Sequence, residues 1–230
     1  VYTGTFRHGE VWIVDGFIAH VEEHTDRFAH GQAQELTDLN GQTLIPGLID
    51  AHVHIESSML TPRRFAEAVL PHGTTTVITD PHEIANVYGM EGIRYMHDSA
   101  LDLPLRVLLD VPSSVPSVPG LENAGANLSA SDVETAFKLP NVLGLAEVMN
   151  DVGLIHGEAR TTAIVEAAHR HGKLIQGHAP MISGPALSAY RSAGPFSDHE
   201  AISAHEALEK IQAGMIIYAR HSSISPDLPE

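Results

Sequence analysis

The stretch that decides the fold is 44-LIPGLIDAHVH-54, an apolar run that ends in two histidines one residue apart. Side chains on a strand alternate between faces, so His52 and His54 point the same way, at the carboxyl end of an apolar strand. Two imidazoles on one face at a spacing of two form half of a metal clamp. The plain alternative is a pair of surface histidines on an edge strand, and the rest of the chain has to decide between them.

Working outward from this strand, apolar runs of strand length alternate with helical patterns. The strand candidates are residues 44–54, 74–80, 105–113, 142–148, 173–178, 196–199 and 215–220. Between them, helical patterns cover residues 62–70, 85–99, 131–138, 159–171, 184–193 and 204–213. Thr61 ahead of Pro62, and Ser129 or Ser131 ahead of Asp132 and Glu134, are helix-start signals. Strands that alternate with helices imply a parallel sheet, and this number of repeats is one short of a closed (β/α)8 barrel. The fold expected is α/β: an incomplete TIM-like barrel over residues 44–230 that lacks an eighth strand. Such a barrel leaves two strand edges unpaired, which adds incentive to associate.

Residues 1–43 read differently. Val11 to Val14 and Phe17 to Val21 flank Asp15-Gly16, a hairpin signal, and the polar stretch from Glu22 to Glu35 reads as a mobile surface loop.

In a parallel barrel the carboxyl ends of the strands build the site. On the strand 142–148, Leu143, Leu145 and Glu147 share one face, so a carboxylate replaces an apolar residue where the strand meets the pocket. A buried carboxylate without a partner is costly. His178 ends the next run and His199 the one after it. Each alone is a common structural histidine, but together they converge on one rim.

The order His-x-His, Glu, His, His on successive strand ends resembles the amidohydrolase superfamily. Within it, 46-PGLIDAHVHIESSMLTP-62, 72-HGTTTVITDPHEIANV-87, 177-GHAP-180 and 197-SDHE-200 are similar to the adenine deaminase family. The resemblance implies that His52, His54, Glu147, His178 and His199 hold a pair of divalent ions, with Glu147 bridging. Carboxylate and imidazole ligands suit manganese, iron or zinc, and the family favours manganese or iron. The implied reaction is metal-assisted hydrolytic deamination of adenine to hypoxanthine and ammonia, with attack by activated water at C6. A proton shuttle is then required, and in the superfamily it is an aspartate ending strand eight. Nothing after Arg220 supplies that strand, and Asp227, in a proline-flanked tail, is not assigned the role. On this reading the catalytic acid/base is missing and the 230-residue chain is expected to be inactive on its own.

Six further residues are candidates for substrate contact: Glu56, which shares parity with His52 and His54, then Asp80, His82 and Glu83 after the second barrel strand, Asn150, and Arg220. Glu56, Asp80, His82 and Glu83 could equally face a further metal, bond within the fold or cap a helix. Asn150 has a loop cap as its alternative, and Arg220 has neutralisation of an acidic rim.

Composition narrows the alternatives. A net charge of −16 with 13 Lys and Arg repels nucleic-acid phosphates and anionic lipid, so neither is expected as a partner. No apolar run is long enough to span a bilayer and no secretory signal pattern is present, so a cytoplasmic location is expected. The absence of cysteine removes disulfides, thiolate nucleophiles and the cysteine-ligated zinc site of cytidine deaminases. His82-Glu83, His199-Glu200 and His205-Glu206 imitate a helical zinc-protease motif. Each lacks the second histidine, where Asn86, Ser203 and Glu209 stand, and His205 and Glu206 are expected on a solvated helix face. Two other functions remain to weigh: an amidohydrolase acting on another cyclic amide or amidine, and a non-catalytic metal-binding remnant. The resemblance also implies that residues 1–43 are part of the small β-sandwich domain that accompanies such barrels, and that the protein is a homo-oligomer, most simply a dimer.

Overall fold

Asp15 and Gly16 both adopt left-handed backbone, with φ of 51° and 79°. That is the requirement of a type I′ turn, and it closes β1 (Gly9–Val14) onto β2 (Phe17–Glu23) as an antiparallel pair. The structure, a computed structural model, describes residues 4–23 and 33–220. Most of the expected loop from Glu22 to Glu35, and Asp227, lie outside the described residues. The chain divides into one unit up to Gly47 and a second from Leu48. The hairpin is the regular structure described in the first unit, and Ile13, Phe17, Ile18 and Val21 on it are exposed.

In the second unit, β3 (Leu48–Val53), β4 (Thr74–Thr79), β5 (Arg106–Val111), β6 (Val142–Val148) and β7 (Leu174–Gly177) form a parallel sheet in chain order. The series continues, because Phe196 N donates to Ile175 O at 3.0 Å and leads into β8 (Ser197–Asp198), which pairs in parallel with β9 (Ile216–Ile217). β3 starts at Leu48 rather than at Leu44 as expected from hydropathy. Pro46 has no N–H to give to a ladder, and Leu44 and Ile45 are exposed. Among the described residues, β3 and β9 each have a single strand neighbour.

The connections are helical. α1 (Pro62–Val69) follows β3, and α2 (His82–Tyr88) and α3 (Met90–Asp98) follow β4. α4 (Ala130–Ala136) follows β5, and α5 (Asp151–Ile155) and α6 (Ala159–Arg170) follow β6. α7 (Gly184–Ala193) follows β7 and α8 (Ala204–Gln212) follows β8. Ser129, not Ser131, is the cap of α4: it accepts from Asp132 N while Asp132 reaches back, a capping box. The single helix expected over 85–99 is two, broken at Gly89, whose φ of 56° and ψ of −135° suit only glycine.

β6 is buried on both faces, as a parallel strand between helices and a barrel interior must be. Leu109, Val111, Leu145, Ile164, Val165 and Leu187 join the main apolar cluster that welds the helices to the sheet. The sheet also curls. His52 on β3 and His199 just after β8 stack with ring centroids 3.9 Å apart, although four strands stand between them. An open flat sheet would hold them tens of ångströms apart, because neighbouring strands are about 4.8 Å apart. No described helix is long and apolar enough to cross a membrane.

Candidate metal centre

Glu147 reaches the mouth of the curl from the end of β6 and is 2% exposed. Four strands deliver imidazoles to its two oxygens. His52 Nε2 and His54 Nε2, from β3, lie 3.5 and 3.2 Å from Oε1, and His82 Nδ1, at the start of α2, lies 3.4 Å from it. His178 Nδ1, after β7, lies 2.5 Å from Oε2, and His199 Nε2, after β8, lies 3.2 Å from the same oxygen. The five residues expected to hold metal are thus brought to one point, with His82 added.

The electrostatics follow from this crowding. Burial would raise the Glu147 pKa, but the imidazoles of His178, His199, His52 and His54 outweigh it and hold the carboxyl well below its usual range. For His54, burial works against the charged ring. Glu147, Asp80 and Glu83 more than compensate and push its pKa up to about 10. His54 Nδ1 faces the Asp80 carbonyl at 2.9 Å, which can only accept, and Nε2 faces His52 Nε2 at 3.1 Å. His82 Nδ1 lies 2.8 Å from Asp80 Oδ2, and that carboxylate overcomes burial to push His82 to about 9.

The residues present fit a metal. His54, Asp80, His82 and Glu147 form one group whose ligand atoms lie within 4.8 Å of one another; His52, Glu147 and His199 form a second, and His178, His199 and Glu200 a third. Glu147 Oε1 and Asp80 Oδ1 are buried without a hydrogen-bond partner, a costly state that a cation held by the first group would relieve. Oxygen and imidazole donors without sulfur are the set for manganese, iron or zinc.

The second-rank candidates divide. Glu56 accepts from Ile84 N at 3.3 Å, and burial, with Glu83 and Asp80 nearby, pushes its pKa up to about 7. Glu83 accepts from Ser57 Oγ and lies 3.6 Å from His54 Nδ1. Asn150 is different. It caps α5 by accepting from Gly153 N at 3.0 Å and donates to Thr161 Oγ1 at 3.0 Å, the loop-cap alternative of the two readings. Arg220 pairs with Glu200 and so neutralises the acidic rim.

Several residues that shape this rim carry no local sequence signal. Glu200 was legible only as part of 197-SDHE-200 and emerges as the neighbour of His178 and His199. Tyr190, fully buried on α7, donates to Val148 O at 2.8 Å and accepts from His178 N at 2.9 Å, tying the ends of β6 and β7 together. Ser113 Oγ donates to Glu147 O at 2.6 Å. Beneath the rim, Asp110 on β5 is pushed to about 7 by burial, with Gln176 opposing. Gln176 in turn accepts from Ser197 Oγ at 2.5 Å and Tyr218 OH at 3.2 Å. Glu206 corrects an expectation: it is not on a solvated face but accepts from Met181 N at 2.7 Å and Lys210 Nζ at 2.6 Å.

Known proteins can be set beside this geometry. A family model described as the amidohydrolase family matches residues 43–222. An adenine deaminase of Klebsiella pneumoniae (strain 342) is 49% identical over 228 residues, and one of Oceanobacillus iheyensis is 40% identical over 228 residues. These alignments cover 98% and 99% of this chain but 37% and 38% of the relatives, so the chain spans under two-fifths of their length. Among solved structures, a 5-methylcytosine deaminase from Klebsiella pneumoniae liganded with 5-fluorocytosine superposes with a TM-score of 0.50 at 14% identity, over 93% of this chain and 62% of that one. That likeness is one of fold.

Proposed function

Because the chain belongs to the amidohydrolase family, we propose that the cluster around Glu147 is the metal centre of a hydrolytic deaminase that converts adenine to hypoxanthine and ammonia. The observation that carries this reading is Glu147 itself, a buried carboxylate ringed by imidazoles, with one oxygen that no donor satisfies. His52, His54, Glu147, His178 and His199 are the ligands in this proposal, for two divalent ions, Mn2+ or Fe2+ before Zn2+. Bound there, the metal supplies Lewis acidity that makes water a nucleophile near neutral pH.

The chain's own residues supply the rest. His54 is oriented by the Asp80 carbonyl and His178 by the fold that Tyr190 ties, so the ligands are fixed before metal arrives. Glu56, Asp80, His82 and Glu83 line the β4 side of the rim, where they would hold protons and meet the polar edge of a purine. The adenine assignment is supported by the deaminases named above, 40% and 49% identical across nearly all of this chain. A cytoplasmic setting and a homodimer belong to the same proposal; the resemblance supports the dimer. The reaction is tested by ammonia release from adenine, with hydantoin and dihydroorotate in parallel, using Mn2+-loaded protein expressed from its complete reading frame. Release from adenine alone is the expected result; release from a cyclic amide instead would replace adenine as the substrate.

A further inference from the structure

Lys210 lies on α8 and is completely buried, the most expensive place for an ammonium group. Its three donors are all used: Nζ lies 2.6 Å from Ala179 O, 2.8 Å from Asp198 Oδ2 and 2.6 Å from Glu206 Oε1. Asp198, equally buried, uses its other oxygen to accept from Ala179 N at 2.8 Å. Both polar atoms of Ala179, the residue after His178, are therefore held by one ion pair whose acid is the residue before His199. Glu206 and Glu209 extend the grip by accepting from Met181 N at 2.7 Å and Gly184 N at 2.8 Å.

The geometry points to Lys210 as a positioning residue that, through Asp198 and Ala179, sets His178 and His199 at the distance at which both engage one metal ion. The inference rests on the metal-centre reading above. Two strand ends separated by about twenty residues must agree in position to within a fraction of an ångström for ligands to converge. Tyr190 holds His178 N from the β6 side, and Lys210 and Asp198 supply the link from the His178 loop to the His199 strand end. Stability alone does not account for the pair, because well-packed apolar residues in place of a buried ion pair are often as stable or more so.

Mn2+ binding to the full chain, measured by equilibrium dialysis with elemental analysis, tests it in the double variant Lys210→Met with Asp198→Asn, which removes the two fully buried charges together and leaves Glu206 the N–H of Met181 as its donor. The Mn2+ dissociation constant is expected to rise about ten- to a hundredfold, the usual consequence of losing the groups that orient metal ligands. Ile164→Ala, a remote core truncation, serves as the control: it should lower the melting temperature and leave Mn2+ affinity unchanged. Should the double variant not fold, Lys210→Gln, which retains a donor near Ala179 O, is judged by the same criterion. If the folded variant binds Mn2+ as the unsubstituted chain does, Lys210 is structural only and the inference is wrong. If the unsubstituted chain takes up no Mn2+, the metal-centre reading falls first and this inference with it.

Discussion

His54 turns Nδ1 toward the main-chain oxygen of Asp80 at 2.9 Å, which leaves Nε2 facing Glu147 Oε1 at 3.2 Å. A main-chain carbonyl at the end of β4 thus faces one ring nitrogen of His54 and the Glu147 carboxylate faces the other. Without metal, that ring and His82 hold protons, their pKa values pushed up to about 10 and about 9.

Those protons set a pH dependence. A metal held through His54 must displace the proton of a ring pushed up to about 10, so Mn2+ affinity should rise as pH increases from 6 to 9. Each proton released makes the affinity climb about tenfold per pH unit. Titration with Mn2+ in weakly buffered solution would show the acid released, and an affinity that does not change with pH would contradict the assignment.

Stability of the metal-free protein should follow the same groups with opposite signs. The raised His54 stabilises fully below its ordinary value of 6.5, and that contribution is lost as pH rises toward about 10. The lowered Glu147 stabilises above its ordinary value of 4.5 and is lost as pH falls through its depressed value. Urea midpoints of chelated protein should therefore be highest between pH 4.5 and 6.5 and decline on the alkaline side; a midpoint that keeps rising to pH 9 would count against the pairing.

Glu147→Gln retains shape and removes the charge that five histidines share. The variant should retain no Mn2+ after desalting. Its metal-free form should lose about 3–5 kcal/mol in urea denaturation, the cost of leaving a buried charge unpartnered.

Gly177 allows β7 and β8 to touch: a Cβ there would lie 2.1 Å from Ser197 O, so backbone must move. Gly177→Ala, adjacent to His178, should cost about 1–3 kcal/mol by overpacking and weaken Mn2+ binding as well. Unchanged binding would mean that the spacing of these strands does not control the ligand.

Asn150→Ala separates a cap from a substrate contact. Losing the cap of α5 should cost about 1 kcal/mol and, in the protein proposed above for the ammonia-release assay, leave the KM for adenine where it was. A raised KM with intact stability would return Asn150 to the substrate.

The barrel and its rim were legible because they depend on short-range pattern. Strand parity put His52 with His54, and a charged residue on an apolar strand end marked Glu147. What was not legible is burial imposed from a distance. Lys210 and Glu206 occupy a helix, AHEALEKIQ, that reads as amphipathic and wet, and only packing under the 177–181 loop buries them. Asp110 sits in a strand whose apolar neighbours hide it, and its partner Gln176 is two strands away. The short helix α5 escaped because five residues are too few to show a period, and Gly89 because only its φ and ψ distinguish a break from a tolerated glycine.

The most direct measurement is anomalous diffraction at the manganese edge from crystals of the Mn2+-soaked protein. Strong peaks are expected within ligand distance of Glu147, one shared with His52 and His54 and one with His178 and His199. Peaks confined to surface carboxylates, with Glu147 still in contact only with imidazoles, would contradict it.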